Sequence, residues 1–354
     1  MAVRKIVKGL MSTLPIVLLL LPVFVEWVFS APWLTATCTF LTLFGVLPIL
    51  DELVARFSFK PLYPTPSSKL LILPVLILPT LVYVLIWGAN YSYSLLQQQH
   101  YGWAMVMVLS IGVLNGTFGI NAAHELLHRR SKVLNLVSGL LLSLSGYGGF
   151  KIEHVFGHHK DLATEQDPSS APRGTNFYRF VGHAIGNNQK KAFHLQRRFK
   201  NKIQFAGYEY WVWNSLTLMW LLAFVFAFGI LGALYFVLQG VVAMAMLELV
   251  NYIEHYGLLR ERKDERRYVP VGYEHSWTSH HVLSNYVLFQ LPQHSDHHVN
   301  ATKPFYELSN HQRSPQLPFG YALLVLIALV PPLWFHIMDN ALEIEMRRIK
   351  SLVG

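Results

Sequence analysis

Long apolar blocks alternate with polar ones along this chain, and the blocks set the first expectation. Six apolar runs approach or reach the roughly 20 residues that a helix needs to cross a bilayer. They are "LMSTLPIVLLLLPVFVEWVF" (10–29), "WLTATCTFLTLFGVLPIL" (33–50), "LLILPVLILPTLVYVLIWGA" (70–89), "WAMVMVLSIGVLNGTFGINAA" (103–123), "WVWNSLTLMWLLAFVFAFGI" (211–230) and "LGALYFVLQGVVAMAMLELV" (231–250). The last two read as a helical hairpin. Between and after the runs lie two polar blocks, 124–210 and 251–354. A shorter apolar run, "VLNLVSGLLLSLSG", reads as a surface or re-entrant helix. The run 317–338 is interrupted by Pro331 and Pro332 and reads as a helix lying against the inner face or capping the core. The pattern predicts an all-α integral membrane protein, residues 1–354 forming a single membrane domain with six transmembrane helices and a polar cap.

Composition agrees. The 354 residues are 53% hydrophobic and 14% charged, with mean hydropathy +0.33, an apolar excess beyond that of soluble domains. The first run follows "RKIVK" and ends in "FSA", as a secretory leader does. Its length, its Glu26 and the span that follows at once favour a retained helix. With the N-terminus inside, the outer connections are "SAP", "NYSYSLLQQQHYGW" and the Gly229–Gly232 junction, none with a Lys or Arg. All 29 basic residues then face the cytoplasm, which predicts a multi-pass protein of the cell inner membrane with both termini and the cap cytoplasmic. The net charge of +9 fits this topology, anionic lipid and an acidic docking partner. Basic residues flank the spans instead of forming a basic domain, which argues against nucleic-acid binding. The single Cys38 excludes a disulfide framework and a cysteine metal site.

Histidine changes the picture further. "HELLH" carries His124 and His128; "EHVFGHH" carries His154, His158 and His159; "NYIEHYG" carries His255; "LPQHSDHH" carries His294, His297 and His298. Spacings of three and four bring imidazoles onto one helix face. All four clusters sit at or just beyond the same ends of predicted helices. "HELLH" alone also fits a zinc-protease motif, but that reading leaves six clustered histidines unused. Nine imidazoles suit two metal ions with four or five each, and imidazole alone does not choose the metal. Glu125, Glu153, Glu254 and Asp296 stand beside the ligands as acceptors for their remaining ring N–H groups. His280 and His281 read as hydrogen-bonded structural residues, and His100, His183, His194, His311 and His336 have no ligand-like spacing.

The stretches "NAAHELLHRR", "EHVFGHHKDLATEQDP", "NYIEHYGLLR" and "HSWTSHHVLSNYVLFQLPQHSDHH", with "GVLPILDEL" ending the second span, resemble the membrane non-haem di-iron alkane monooxygenases. This alkane omega-hydroxylase family is related to the membrane fatty-acid desaturases, and the resemblance covers residues 10–335 in the family's order. It implies a di-iron cap whose nine ligands are His124, His128, His154, His158, His159, His255, His294, His297 and His298. The activity implied is O₂-dependent terminal hydroxylation of medium- to long-chain alkanes, with electrons from rubredoxin reduced by an NADH-dependent reductase. Leu127-His128-Arg129, Pro292-Gln293 and His280 depart from the usual family residues without removing a ligand. Alternatives on the same scaffold are a desaturase, a xylene-type hydroxylase and an acyl-lipid hydroxylase; a membrane metal-binding or transport protein is the non-enzyme alternative. The resemblance also places the second span beside the substrate, and there Leu43, two residues before Gly45, is expected to line the pocket, with Gly45 permitting close helix approach.

Overall fold

A computed structural model of the chain describes residues 10–56, 67–199, 208–265 and 267–352. The basic N-terminal run, much of the 51–69 loop and residues 200–207 lie outside the described residues. Two short helices open the described chain, α1 (Leu14–Leu19) and α2 (Leu21–Phe29), with Pro15 and Pro22 in their first turns. The first expected span is therefore not one helix, because Pro22 supplies no N–H to continue the hydrogen bonding through Leu20.

Among the described residues, four helical elements are long and apolar enough to cross a membrane: α3 (Pro32–Arg56), α4 (Ser68–Gln97), α5 (Tyr101–Leu127) and, after three shorter helices, α9 (Glu209–His255). In α9 the backbone reverses at Gly229, whose φ of 62° and ψ of −149° suit a residue without a side chain. Phe224 then stacks on Tyr235 and Phe236 at 5.6 and 5.4 Å between ring centres, so the two arms lie against each other as a hairpin. The two apolar runs 211–230 and 231–250 form these two arms. Glu26 is held by the Thr35 hydroxyl (2.8 Å) and the Tyr91 hydroxyl (2.6 Å), which answers its charge within the apolar layer.

Close helix contact occurs at Gly112 and Gly116 of α5. A side chain there would meet Val242 Cβ and Met246 Cβ, each at 2.6 Å. Gly45, expected to play this part in α3, has nothing within 4 Å of the position a Cβ would take. Over the histidine end of the bundle lie α6 (Lys132–Leu144), α7 (Phe150–Glu153) with a π-helical turn His154–His158, and α8 (Phe177–Phe199). A two-stranded hairpin, β1 (Arg262–Asp264) with β2 (Arg267–Tyr268), precedes α10 (Val282–Val287), α11 (His294–Val299), α12 (Tyr321–Ala328) and α13 (Pro331–Ser351). Pro331 and Pro332 divide the 317–338 run. Its first part is the largely buried α12, and its second begins α13, whose Trp334 packs on Tyr252 at 4.8 Å.

Candidate metal centre

The nine clustered histidines come together at one end of the bundle. His124 lies in the last turn of α5 and His128 caps it; His154 and His158 bound the π-helical turn after α7, and His159 follows it directly; His255 ends α9; His294, His297 and His298 lie on α11. Eight of them form two groups whose ligand atoms lie within 4.8 Å of one another: His124, His128, His154 and His297, and His158, His255, His294 and His298. His159 stands between the groups, its ring centre 4.7 Å from His154 and 4.5 Å from His298.

This partition differs from the pairs expected from spacing. His154 and His158, four apart, fall in different groups, because the π turn carries more residues per turn than an α-helix. It is His159, five residues on, whose Nε2 meets that of His154 at 3.1 Å. On α11, His294 and His298 join one group and His297 the other.

The donor set fits metal. Ring nitrogens face one another at hydrogen-bonding distance: His128 to His154 at 3.1 Å, His255 to His294 at 3.2 Å and His294 to His298 at 2.9 Å, all Nε2 to Nε2. A neutral imidazole has one donor and one acceptor, so a knot of converging Nε2 atoms cannot be satisfied by shared protons alone. The Nε2 atoms of His124, His158 and His297 are buried without a hydrogen-bond partner. Burial, then the neighbouring imidazoles, hold His128, His154, His159, His294, His297 and His298 well below the usual histidine pKa. Burial thus favours the uncharged ring, whose free lone pair can serve a cation.

Of the four acidic neighbours, Glu254 alone has a close contact with a clustered ring. Its Oε2 is 3.2 Å from His294 Nε2, on the side where the second group converges, and its Oε1 accepts the Tyr321 hydroxyl at 3.0 Å. It therefore faces the ligand atoms instead of backing a remote ring nitrogen. Glu125 pairs with Arg129 (3.4 Å), and Asp296 is turned to Lys303 (2.6 Å), Asn300 (2.8 Å) and the Ser309 N–H (2.8 Å). Glu153 lies 3.2 Å from Lys191 Nζ, its pKa raised by burial to about 7. The geometric reason is general: side chains adjacent on a helix point roughly 100° apart, so a residue beside a ligand seldom reaches behind that ligand's ring.

The acceptor that does so comes from further along. Asp167 Oδ2 lies 2.9 Å from His158 Nδ1 and accepts the Ser170 hydroxyl (2.6 Å). Burial would raise the Asp167 pKa, but His158 overrides it and lowers it; burial would likewise lower the His158 pKa, and Asp167 raises it. A carboxylate on Nδ1 fixes the ring so that its buried Nε2 faces the cluster. The block "GHHKDLATEQDP" contains this residue, but nothing in its spacing marks it.

Beside the cluster an apolar slot of about 630 Å³, mouth included, opens between helices. Its walls are Leu43, Phe44 and Leu47 of α3, Gly116 and Asn121 of α5, Met246 and Val250 of α9, Leu288 and Leu291 after α10, and Tyr321 and Val325 of α12. Leu43 is 4% exposed. Asn121 lies one turn before His124, Leu291 three residues before His294, and Tyr321 bonds Glu254, so the slot adjoins the histidine end. His281 is a structural contact, its Nδ1 2.9 Å from the Ser279 hydroxyl.

Comparison with known proteins points the same way. The fatty acid desaturase family profile matches residues 101–337. The chain is 39% identical over 312 residues to alkane 1-monooxygenase 1 of Pseudomonas aeruginosa, covering 84% of this chain and 81% of that protein. It is 37% identical to alkane 1-monooxygenase 2 of Alcanivorax borkumensis, covering 85% and 81%. The hydroxylase component of a Pseudomonas putida xylene/toluene monooxygenase is 28% identical over 65% of this chain and 62% of that one.

Proposed function

This chain belongs to the alkane 1-monooxygenase family, related to the fatty acid desaturases, and from that premise we propose that it hydroxylates the terminal carbon of alkanes. The overall reaction takes R–CH₃, O₂, two electrons and two protons to R–CH₂OH and water. The observation that carries this reading is an apolar slot beside two groups of converging imidazoles, all but His128 buried.

Alkanes offer no polar handle, so the slot must bind by burial, at about 0.8 kcal/mol per methylene. The slot side chains hold the chain extended and present one end toward the Tyr321–Glu254 pair and His294. Two iron ions held by the nine histidines supply the O₂ chemistry when bound. Asp167 keeps the His158 ring in its ligand orientation, and the apolar walls exclude water from the reacting end. Glu254 lies close enough to the second group to serve as a carboxylate donor or as an acceptor beside it.

The two electrons are supplied by an electron-transfer protein that docks on the polar face. A rubredoxin, reduced by an NADH-dependent reductase, suits the basic polar face. That face is cytoplasmic in a six-pass arrangement of the inner membrane, with α1–α2, α3, α4, α5 and the two arms of α9 as passes. The absence of Lys and Arg from the Gly229 tip and the 98–100 turn supports this orientation.

The test is product analysis. Membranes carrying the protein are supplied with rubredoxin, its reductase, NADH, ¹⁸O₂ and a series of alkanes, with a parallel series of methyl-arenes. Labelled 1-alkanols are expected. Alkenes would indicate a desaturase, benzylic alcohols alone would indicate a xylene-type enzyme, and no oxygenated product would overturn the proposal.

A further inference from the structure

We propose that Asp51 and Glu52 are positioning residues that fix the slot relative to the histidine cluster and so decide which carbon is presented. The proposal rests on the alkane-hydroxylating reading above.

Two carboxylates stand at the end of α3 beside a slot whose substrate has nothing for them to bind. Asp51 is only 1% exposed. Its Oδ1 accepts the Leu283 N–H at 2.8 Å, and its Oδ2 accepts the Ser284 N–H at 3.1 Å and the Ser284 hydroxyl. Those N–H groups belong to the first turn of α10, where no helical carbonyl can reach them. Asp51 thus does from another helix what an N-cap side chain does locally. Glu52 accepts the Gly320 N–H at 2.7 Å and lies 3.2 Å from His281 Nε2. Gly320 directly precedes α12. The acid pair therefore clips both the 282–291 wall and the α12 wall of the slot to the helix that carries Leu43.

The 282–291 wall is itself tied to the metal ligands. Asn285 donates to the carbonyls of Ser279 (2.9 Å) and His281 (2.8 Å). Gln293 donates to the Ser279 carbonyl (2.9 Å) and to Asn285 Oδ1 (3.2 Å), and the next residue is His294. Hydrogen bonds from these side-chain amides thus join α10 to the ligand helix as one unit, and Asp51 joins that unit to α3. Loosening the clip lets substrate and ligands shift against each other, and small misplacements at a reacting centre cost rate heavily.

Asp51→Asn keeps the shape and loses the charge, and its amide group sets a donor against backbone donors. Two readouts are taken: hydrogen–deuterium exchange over 282–291, and the position of the hydroxyl in products from one alkane. Exchange is expected to quicken about tenfold, the size of a lost cap. The share of subterminal alcohol is expected to rise while membrane insertion and iron content stay at wild-type values. Faster exchange with unchanged product positions would reduce Asp51 to a structural staple and overturn the proposal, as would unchanged exchange. If Asp51→Asn does not accumulate, Gly320→Ala takes its place, since the added Cβ would lie 2.9 Å from Asp51 Oδ2 and 3.0 Å from His281 Cδ2. The same two shifts are expected there, and their absence overturns the proposal. A wild-type protein that oxidises no alkane would sink the functional reading instead, with the exchange measurement still deciding whether the clip exists.

Discussion

Replacing Leu43 tests how the slot measures its substrate. The residue is 4% exposed, lies in the π-helical stretch Leu41–Val46 of α3, and shares the slot with Phe44, Met246, Leu288 and Leu291. In Leu43→Trp an indole replaces the isobutyl group. Displacing two to three methylenes of the substrate removes about 1.6–2.4 kcal/mol of burial, which is roughly 15- to 60-fold in preference against the longest alkanes. Leu43→Ala opens space for about three carbons, but the walls relax into part of it. A gain of one or two methylenes, roughly 4- to 15-fold toward longer chains, is the expected result. The assay is internal competition: one mixture of alkanes, one membrane preparation per variant, and product ratios read by gas chromatography, so that expression level cancels. Opposite shifts of the two variants are required. An unchanged profile in both would show that Leu43 does not stop the chain, and an equal loss of rate at all lengths would show damaged packing.

Metal analysis of purified protein should give two irons per chain, with activity lost on chelation and restored by ferrous iron. One metal per chain, or zinc that supports full turnover, would refute the two-site reading. His255→Ala removes a fully buried imidazole of the second group. It should abolish hydroxylation while the protein remains in the membrane fraction, and wild-type turnover would take α9 out of the site. Asp167→Asn replaces the anionic partner of His158 with a neutral one, so metal affinity in a chelator competition should fall about 10- to 100-fold. Unchanged retention would show that Asp167 does not support the ligand.

The spans and the histidines were legible because each is written in a local pattern. Apolar length marks a membrane helix whatever it packs against, which is why α3, α4, α5 and both arms of α9 fall where the runs fall. The break at Leu20 and the close approach at Gly112 and Gly116 depend on a neighbouring proline and on α9, and the apolar count registers neither. Clustered histidines mark an end of the bundle that could hold metal, but a spacing of four implies a pair only on an α-helix. The π turn at His154–His158 rotates the later residues, so the pairing expected from the sequence fails at that point.

Carboxylates were harder to assign because position beside a ligand does not say which neighbour the side chain meets. Glu125, Glu153 and Asp296 are conspicuous beside ligands, yet their bonds run to Arg129, Lys191 and Lys303. Asp51 meets α10 across 232 residues of sequence. Its role therefore appears only once the helices are assembled. An acid at a membrane helix end is most simply a solvated charge, and Asp51 is instead buried against backbone N–H groups. Placing a buried charge among apolar walls carries a desolvation cost that solvated acids avoid. The N–H groups of α10 offset part of that cost, and the resulting bond is directional in a setting of low dielectric. A slot that must hold a featureless chain within a fraction of an ångström of its oxidant cannot take that precision from the chain. It has to come from the walls, and the directional bonds of Asp51 and Glu52 join two of them, the 282–291 stretch and α12, to α3.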